Sequence, residues 1–177
     1  MIFDSRPWKK ELSKLSQIIY RARFKTKLSE SRDIAYEKAI FISAYIVRKL
    51  FEASKLSYKL KEISCPIKKY PNIKHVNLFK WHNIDQVFDL NNPAKHSLNI
   101  KKLCNYLIHS FIFILSYNER NSLNGFFFTS DKEKNNSLYF IQIKDFINIL
   151  QKIVKDEKIH SRYIKDKNGD LKEIDPS

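Results

Sequence analysis

The chain predicts an α+β protein, mainly helical, with a small antiparallel β-meander followed by a C-terminal helix and a hairpin. Three observations lead there. In three stretches before residue 110 the apolar residues recur at helical spacing. Beyond it the pattern changes to short aromatic and β-branched segments cut by polar, turn-prone residues. An amphipathic stretch and an Asn–Gly pair close the chain. At 177 residues the chain can bury a real core. We read residues 1–177 as one domain, a basic helical half (1–110) and a half (111–177) of meander, helix and hairpin.

The first helix runs from Trp8 to about Phe24, since Trp8, Leu12, Leu15, Ile19 and Ala22 share one face and Pro7 suits a first turn. Its end and the loop after it gather Arg21, Arg23, Lys25 and Lys27 around Phe24. Such a basic run with one aromatic is a candidate for holding a phosphate backbone and stacking a base; a solvated charged face is the alternative. Ser29 or Ser31 can cap a second helix, with Glu30 and Asp33 near its positive end, and we expect it to reach about Leu60. Residues 39–51, AIFISAYIVRKLF, are apolar on nearly all sides, which marks a central helix buried around most of its circumference. Arg48 follows that run. It must snorkel to the surface or find an acceptor, and if the long helices pack together it can supply a guanidinium near residue 109.

Residues 61–93 contain Pro66, Pro71 and Pro93 with little helical period, so a long connection is expected, holding a short helical turn around Val76 to Trp81. Lys68, Lys69, Lys74 and Lys80, interspersed with Tyr70, Phe79 and Trp81, make it a second candidate nucleic-acid surface. His75 and His82 lack a Cys or carboxylate at a ligand spacing, so neither a metal nor another cofactor is expected.

The next helical stretch, Ser97 to Ser110 (SLNIKKLCNYLIHS), carries the candidate chemistry. At about 100° per residue Ile100, Leu103, Cys104, Leu107, Ile108 and Phe111 fall on one arc, which should face the core. His109 falls on the opposite arc, with Asn105 about 40° and Lys102 about 20° away. Imidazole accepts and donates protons near neutral pH, and a nearby ammonium can stabilise the charge of a phosphorane. Those are the parts needed for metal-free RNA cleavage. A His that merely ends a helix, where positive charge is welcome, is the alternative.

An Asn–x–x–x–His pair late in a helix that follows another long helix resembles the HEPN superfamily, whose signature is an Arg, often followed by a polar residue, then a His after four to six intervening residues. Asn105 and His109 match, the Arg position is Cys104, and the cation at a permitted spacing is Lys102. The resemblance implies a helical domain, usually a homodimer that brings two motifs together. The resemblance further implies a ribonuclease in bacterial defence or toxin–antitoxin systems, or an RNA binder without catalysis. The element order is also similar to that of uncharacterised bacterial proteins, which implies no chemistry.

After His109, FIFILSYN, GFFFTSD and SLYFIQI read as three antiparallel strands, with Gly125 at a turn or strand start and SDKEKNN as a charged hairpin loop. Phe126, Phe127 and Phe128 are expected in the core or at a subunit interface. Residues 144–158 repeat Phe146, Ile149, Leu150 and Ile153 at helical spacing, a helix that covers one face of the sheet. Asn168–Gly169 then signals a hairpin.

Charge narrows the partners. Lys and Arg number 33 against 19 Asp and Glu, a net +14. Residues 1–110 hold 22 cations and 9 anions, a balance of +13. Such a field attracts a phosphate backbone, RNA in preference to DNA if the cleavage chemistry is present. The alternative is compositional, since heavy use of Lys, Ile and Asn with only two glycines follows from an AT-rich genome. A partner protein bound by the helical half is the competing class of function. Two cysteines outside any C-x-x-C pair, with no signal-like segment or membrane span, point to a reduced cytoplasm.

Overall fold

The computed structural model describes residues 2–27, 29–79, 81–157, 162–165, 167, 169 and 171–174. They form an α+β fold in which a five-stranded antiparallel sheet, ordered β2-β1-β5-β4-β3, carries the longer helices on one face and the β1–β2 connection on the other. The elements in chain order are α1 (Arg6–Ala22), α2 (Glu30–Glu52), α3 (Tyr58–Lys61), β1 (Ser64–Pro71), α4 (Ile84–Val87), β2 (Ala94–Asn99) and α5 (Ile100–Ile108). They continue as β3 (Ser110–Tyr117), β4 (Leu123–Ser130), β5 (Ser137–Gln142), α6 (Ile143–Val154), β6 (Arg162–Lys165) and β7 (Leu171–Ile174).

Helix α1 forms as its spacing predicts, burying Leu12, Leu15, Ile19 and Ala22 with Pro7 in the first turn. Its Lys9 reaches the backbone carbonyl of Asp156 just past α6, and the Asp156 carboxylate lies 3.7 Å from the ammonium and accepts the Ser57 amide at 3.0 Å. One carboxylate thus joins α1, the α2–α3 turn and the end of α6.

Helix α2 ends at Glu52, earlier than the expected Leu60. Ser54 takes a φ of 52°, a left-handed turn that no continuing helix tolerates, and α3 starts separately. Ser29 precedes α2 without capping it through its side chain. The run at 39–51 is also less enclosed than its composition implies. Ala39, Ile40, Ala44, Val47 and Leu50 are buried against α1 and α5, but Ile42 and Tyr45 look outward.

The largest departure lies in residues 61–93. Ser64–Pro71 is not connection but strand β1, paired with β2 on one side and β5 on the other. Pro66 is tolerated because β5 joins β1 only from Lys68 onward, so at Pro66 the strand is paired by β2 alone. The short helix is α4, not Val76–Trp81. There the Val76 amide bonds Asn135 Oδ1 at 2.8 Å, and the Phe79 amide bonds Asn77 Oδ1 at 3.0 Å, holding a turn instead. Likewise Ser97–Asn99 belongs to β2, and α5 starts only at Ile100, capped by Asn99 Oδ1 accepting the Lys102 amide at 2.8 Å.

The three expected strands form the β3–β4–β5 meander, and β1 and β2 extend it to five. Phe126 and Phe128 point into the core under the helices, at 0% exposure each. Each such ring contributes on the order of 1.5–3 kcal/mol. Phe127 points to the opposite face, where Tyr70, Ile112, Leu138 and Phe140 pack under Val76, Val87 and Phe88 of the β1–β2 connection. Gly125 sits inside β4, where a Cβ would run into the Ile141 carbonyl oxygen and the Phe140 ring. Helix α6 covers β4 with Phe146 and Leu150. The closing hairpin exists as β6 paired with β7, with Gly169 at φ 85°; Asn168 lies outside the described residues. Among the described residues no helix is long and apolar enough to cross a membrane.

Candidate functional site

The α5 core arc is Ile100, Leu103, Cys104 and Leu107, all buried. Ile108 is 38% exposed, and Phe111 has passed onto β3, so both leave the expected arc. The chain breaks helical geometry at His109, which caps α5 at φ −106°, ψ 29° with its amide on the Asn105 carbonyl. Its own carbonyl accepts the Asp131 amide at 3.1 Å. That bond folds the β4–β5 turn back onto the end of α5.

Packing of α2 on α5 then brings in Arg48. Its Nη1 donates to Asn105 Oδ1, across 57 residues of sequence, and its Nε donates to Glu52 Oε1 at 2.6 Å. Two anchors fix the guanidinium plane and use two of its five N–H donors, leaving the second Nη1 proton and both Nη2 protons. Hydrogen bonds from Arg48 and then Lys49 hold the Glu52 carboxyl below its ordinary pKa.

The result is a cleft of about 550 Å³ lined by Arg48, Asn105, Tyr106, His109, Ser130, Asp131, Lys132 and Glu133. Three of the four residues singled out for chemistry therefore share one wall. Lys102, the fourth, stands outside that lining, its ammonium 5.4 Å from the centre of the Tyr106 ring. The opposite wall comes from the β4–β5 turn, whose hairpin character is readable from SDKEKNN. Its return to His109 depends on the β3–β4 register, which pairs Ser110 with Ser130.

Of the acidic groups of that turn, one is ion-paired and the other hydrogen-bonded. Asp131 lies 2.6 Å from the Lys134 ammonium, and Glu133 accepts the Tyr139 hydroxyl at 3.4 Å. The Tyr106 and Tyr139 rings meet at a tilt, their centres 5.4 Å apart, and burial, assisted by the charge of Glu133, raises the pKa of Tyr106. Tyr139 is raised too, by burial first and then by Tyr106 and Glu133. Both phenols therefore remain proton donors at neutral pH. Cys104, behind the cleft wall, is pushed up to about 12 by burial and stays a thiol.

The basic residues distribute differently. Arg23 lies over the Tyr20 and Phe24 rings at 5.6 and 5.7 Å, beside exposed Arg21, Lys25 and Lys27. This cluster precedes α2, whereas Arg48 lies five turns along it, about 27 Å away on the helix axis. Lys68 and Lys69 are successive strand residues and point to opposite faces of the sheet. Lys68 sits opposite Lys95 across β1–β2, and Lys69 opposite Tyr139. Lys74 is exposed in the β1–β2 connection, near a second hollow lined by His75, Leu78, Phe79, Phe111 and Lys134. Lys80 lies outside the described residues. Among the described residues no three His, Cys, Asp or Glu side chains are gathered to hold a metal ion. Compared with protein-family models, curated proteins and solved structures, the chain gives no significant match.

Proposed function

We propose that this chain is an HEPN-like RNA-binding protein that cleaves RNA slowly and without a metal, in the cleft between α2, α5 and the β4–β5 turn. One observation carries the reading: Arg48, Asn105 and His109, from helices far apart in sequence, line one open cleft. The guanidinium that the Asn–x–x–x–His helix lacks in its own sequence comes from α2. RNA is favoured over DNA because its 2′-hydroxyl is an internal nucleophile.

In the reaction a base removes the 2′-hydroxyl proton, the oxygen attacks phosphorus, and the bond to the 5′-oxygen breaks as an acid protonates it. The products are a 2′,3′-cyclic phosphate and a free 5′-hydroxyl. His109 is one proton-transfer group and Arg48 meets the charge that grows on the phosphorane. The second group is either the Glu133 carboxylate in the same cleft or His109 of a second copy. The +13 balance of residues 1–110 supplies attraction to the backbone. Slow cleavage of this kind suits the defence and toxin–antitoxin settings that the HEPN resemblance implies.

The test is His109→Ala against a mixed-sequence RNA. Cleavage should fall by about two to four orders of magnitude with binding nearly intact. If the parent protein yields no cyclic phosphate that His109→Ala lacks, the enzyme reading is wrong and only binding remains.

A second reading rests on α2. Ile34, Ile42 and Tyr45, at 49%, 43% and 47% exposure, form an outward apolar stripe, the feature of a homodimer or partner-protein contact. Sedimentation of the parent and of Ile42→Asp tests it. A parent that stays monomeric through the micromolar range refutes the homodimer.

A further inference from the structure

We infer that the Ser130 hydroxyl is a donor in an oxyanion seat between Arg48 and His109, and that the seat takes a single phosphodiester group of the RNA backbone. The inference rests on the RNA reading above and adds a substrate-binding residue that lies on a strand, outside the helical motif.

Ser130 is 4% exposed, and its Oγ has no hydrogen-bond partner among the described residues. A buried hydroxyl without a partner costs stability, so such a group calls for an explanation. Here the explanation is positional. Ser130 lines the cleft together with Arg48 and His109, and its Oγ, covered in the free protein, meets the phosphate by turning about χ1. Its place is fixed from both sides, by the Ser110–Ser130 pairing and by the next amide, Asp131, on the His109 carbonyl. A register shift between Ser110 and Ile112 marks a bulge at this point, a device that re-aims side chains beside sites.

The chemistry selects a small oxyanion. Arg48 is held by Glu52 and Asn105, so it offers its outer edge without having to be ordered on binding. Lys132 adds a cation on the lip. Asp131 and Glu133 oppose an anion, but Asp131 is paired with Lys134 and Glu133 is turned to Tyr139. With carboxylates on the rim the cleft suits one phosphate group, not a long stretch of backbone. The strand on either side of that group would lie on the basic surfaces outside.

Inorganic phosphate titrated into the full-length protein at low ionic strength tests this, followed by the NMR shifts of the His109 ring and the Ser130 amide. The parent should saturate, with both signals moving together. Ser130→Ala should weaken phosphate about tenfold or more, as expected for loss of a hydrogen bond to a charged group. The same change should raise the melting temperature of the free protein by about 2–4 °C, because it deletes an unsatisfied buried hydroxyl. Ser43→Ala is the control, since Ser43 Oγ is equally buried and unpartnered but does not line the cleft. It should raise the melting temperature and leave phosphate binding alone. Unchanged phosphate affinity in Ser130→Ala, or no saturable shift at His109 in the parent, overturns the seat. Phosphate binding that depends on Ser130, in a protein that cleaves no RNA, overturns the ribonuclease reading and leaves the seat standing.

Discussion

Replacing Arg48 by Lys keeps the charge and removes the fork, which separates a phosphate clamp from a strut between helices. The Arg48 side chain is 23% exposed and holds two partners at once, Glu52 through Nε and Asn105 through Nη1. A lysine ammonium reaches one of them. The Glu52 contact is partly exposed and screened by solvent, so it contributes little. The Asn105 bond is more enclosed and charge-assisted, so the loss should be about 1–2 kcal/mol. For a chain of this length that lowers the melting temperature by about 3–6 °C. The effect on RNA should be separate and larger. If the guanidinium edge grips a phosphate, losing the fork costs about 1.5–3 kcal/mol, or roughly 10- to 100-fold in affinity. Fluorescence anisotropy with a labelled single strand, alongside thermal melts, reads both. The salt slope should stay unchanged in Arg48→Lys and fall by about 0.7 in Arg48→Ala, because one phosphate contact is neutralised less. A lower melting temperature with RNA affinity within threefold of the parent would refute the clamp and leave Arg48 as a strut.

Three other outcomes are expected. Gly125→Ala should lower the melting temperature by about 5–10 °C, since the added methyl meets a backbone oxygen and a packed ring and overpacking costs about 1–3 kcal/mol or more; a shift under 2 °C would show that β4 and β5 can part freely. Stability should be level from about pH 6 to 8.5 and fall as pH rises further, because Cys65, Cys104, Tyr117 and Tyr139 all have folded pKa values raised, chiefly by burial, and the unfolded chain releases those protons first. Denaturant titrations at pH 7, 9 and 10.5 check the sign. Phe79→Ala, at a side chain 86% exposed, should leave the melting temperature unchanged and weaken single-strand binding by about 1–3 kcal/mol if the Lys74 loop stacks a base; equal affinity would remove that loop from the RNA surface.

Local patterns sufficed wherever one face of an element meets the core and the other meets water. The stripes of α1, α5 and α6 and the aromatic runs of β3, β4 and β5 are of that kind, and each is an element of the fold. Strand β1 is not. Its burial alternates at Cys65 and Ile67, yet Pro66 interrupts the pattern and Lys68 and Lys69 follow it, and its partner β5 lies about 70 residues on. Strand β2 is an edge strand with only Leu98 buried, so its sequence carries almost no apolar signal. Both exist because the meander presents an open edge with unpaired backbone groups, a requirement that no window of local sequence contains.

The cleft divides along the same line. Arg48, Asn105 and His109 are visible because a cation after a buried run and polar residues opposite an apolar arc both stand out against helical periodicity. Ser130, Asp131 and Glu133 are not, because a Ser at a strand end and charges in a turn are what any hairpin shows. What turns them into a wall is the backbone bond from Asp131 to His109, which follows from the β3–β4 register and from α5 stopping at His109. Had α5 continued for another turn, to residue 113, the Asn105 and His109 side chains would remain on one helix face, but the His109 carbonyl would be bonded within the helix and could not receive the β4–β5 turn. The break in helical geometry at His109 is therefore the structural step that converts a polar helix face into a cleft with two walls.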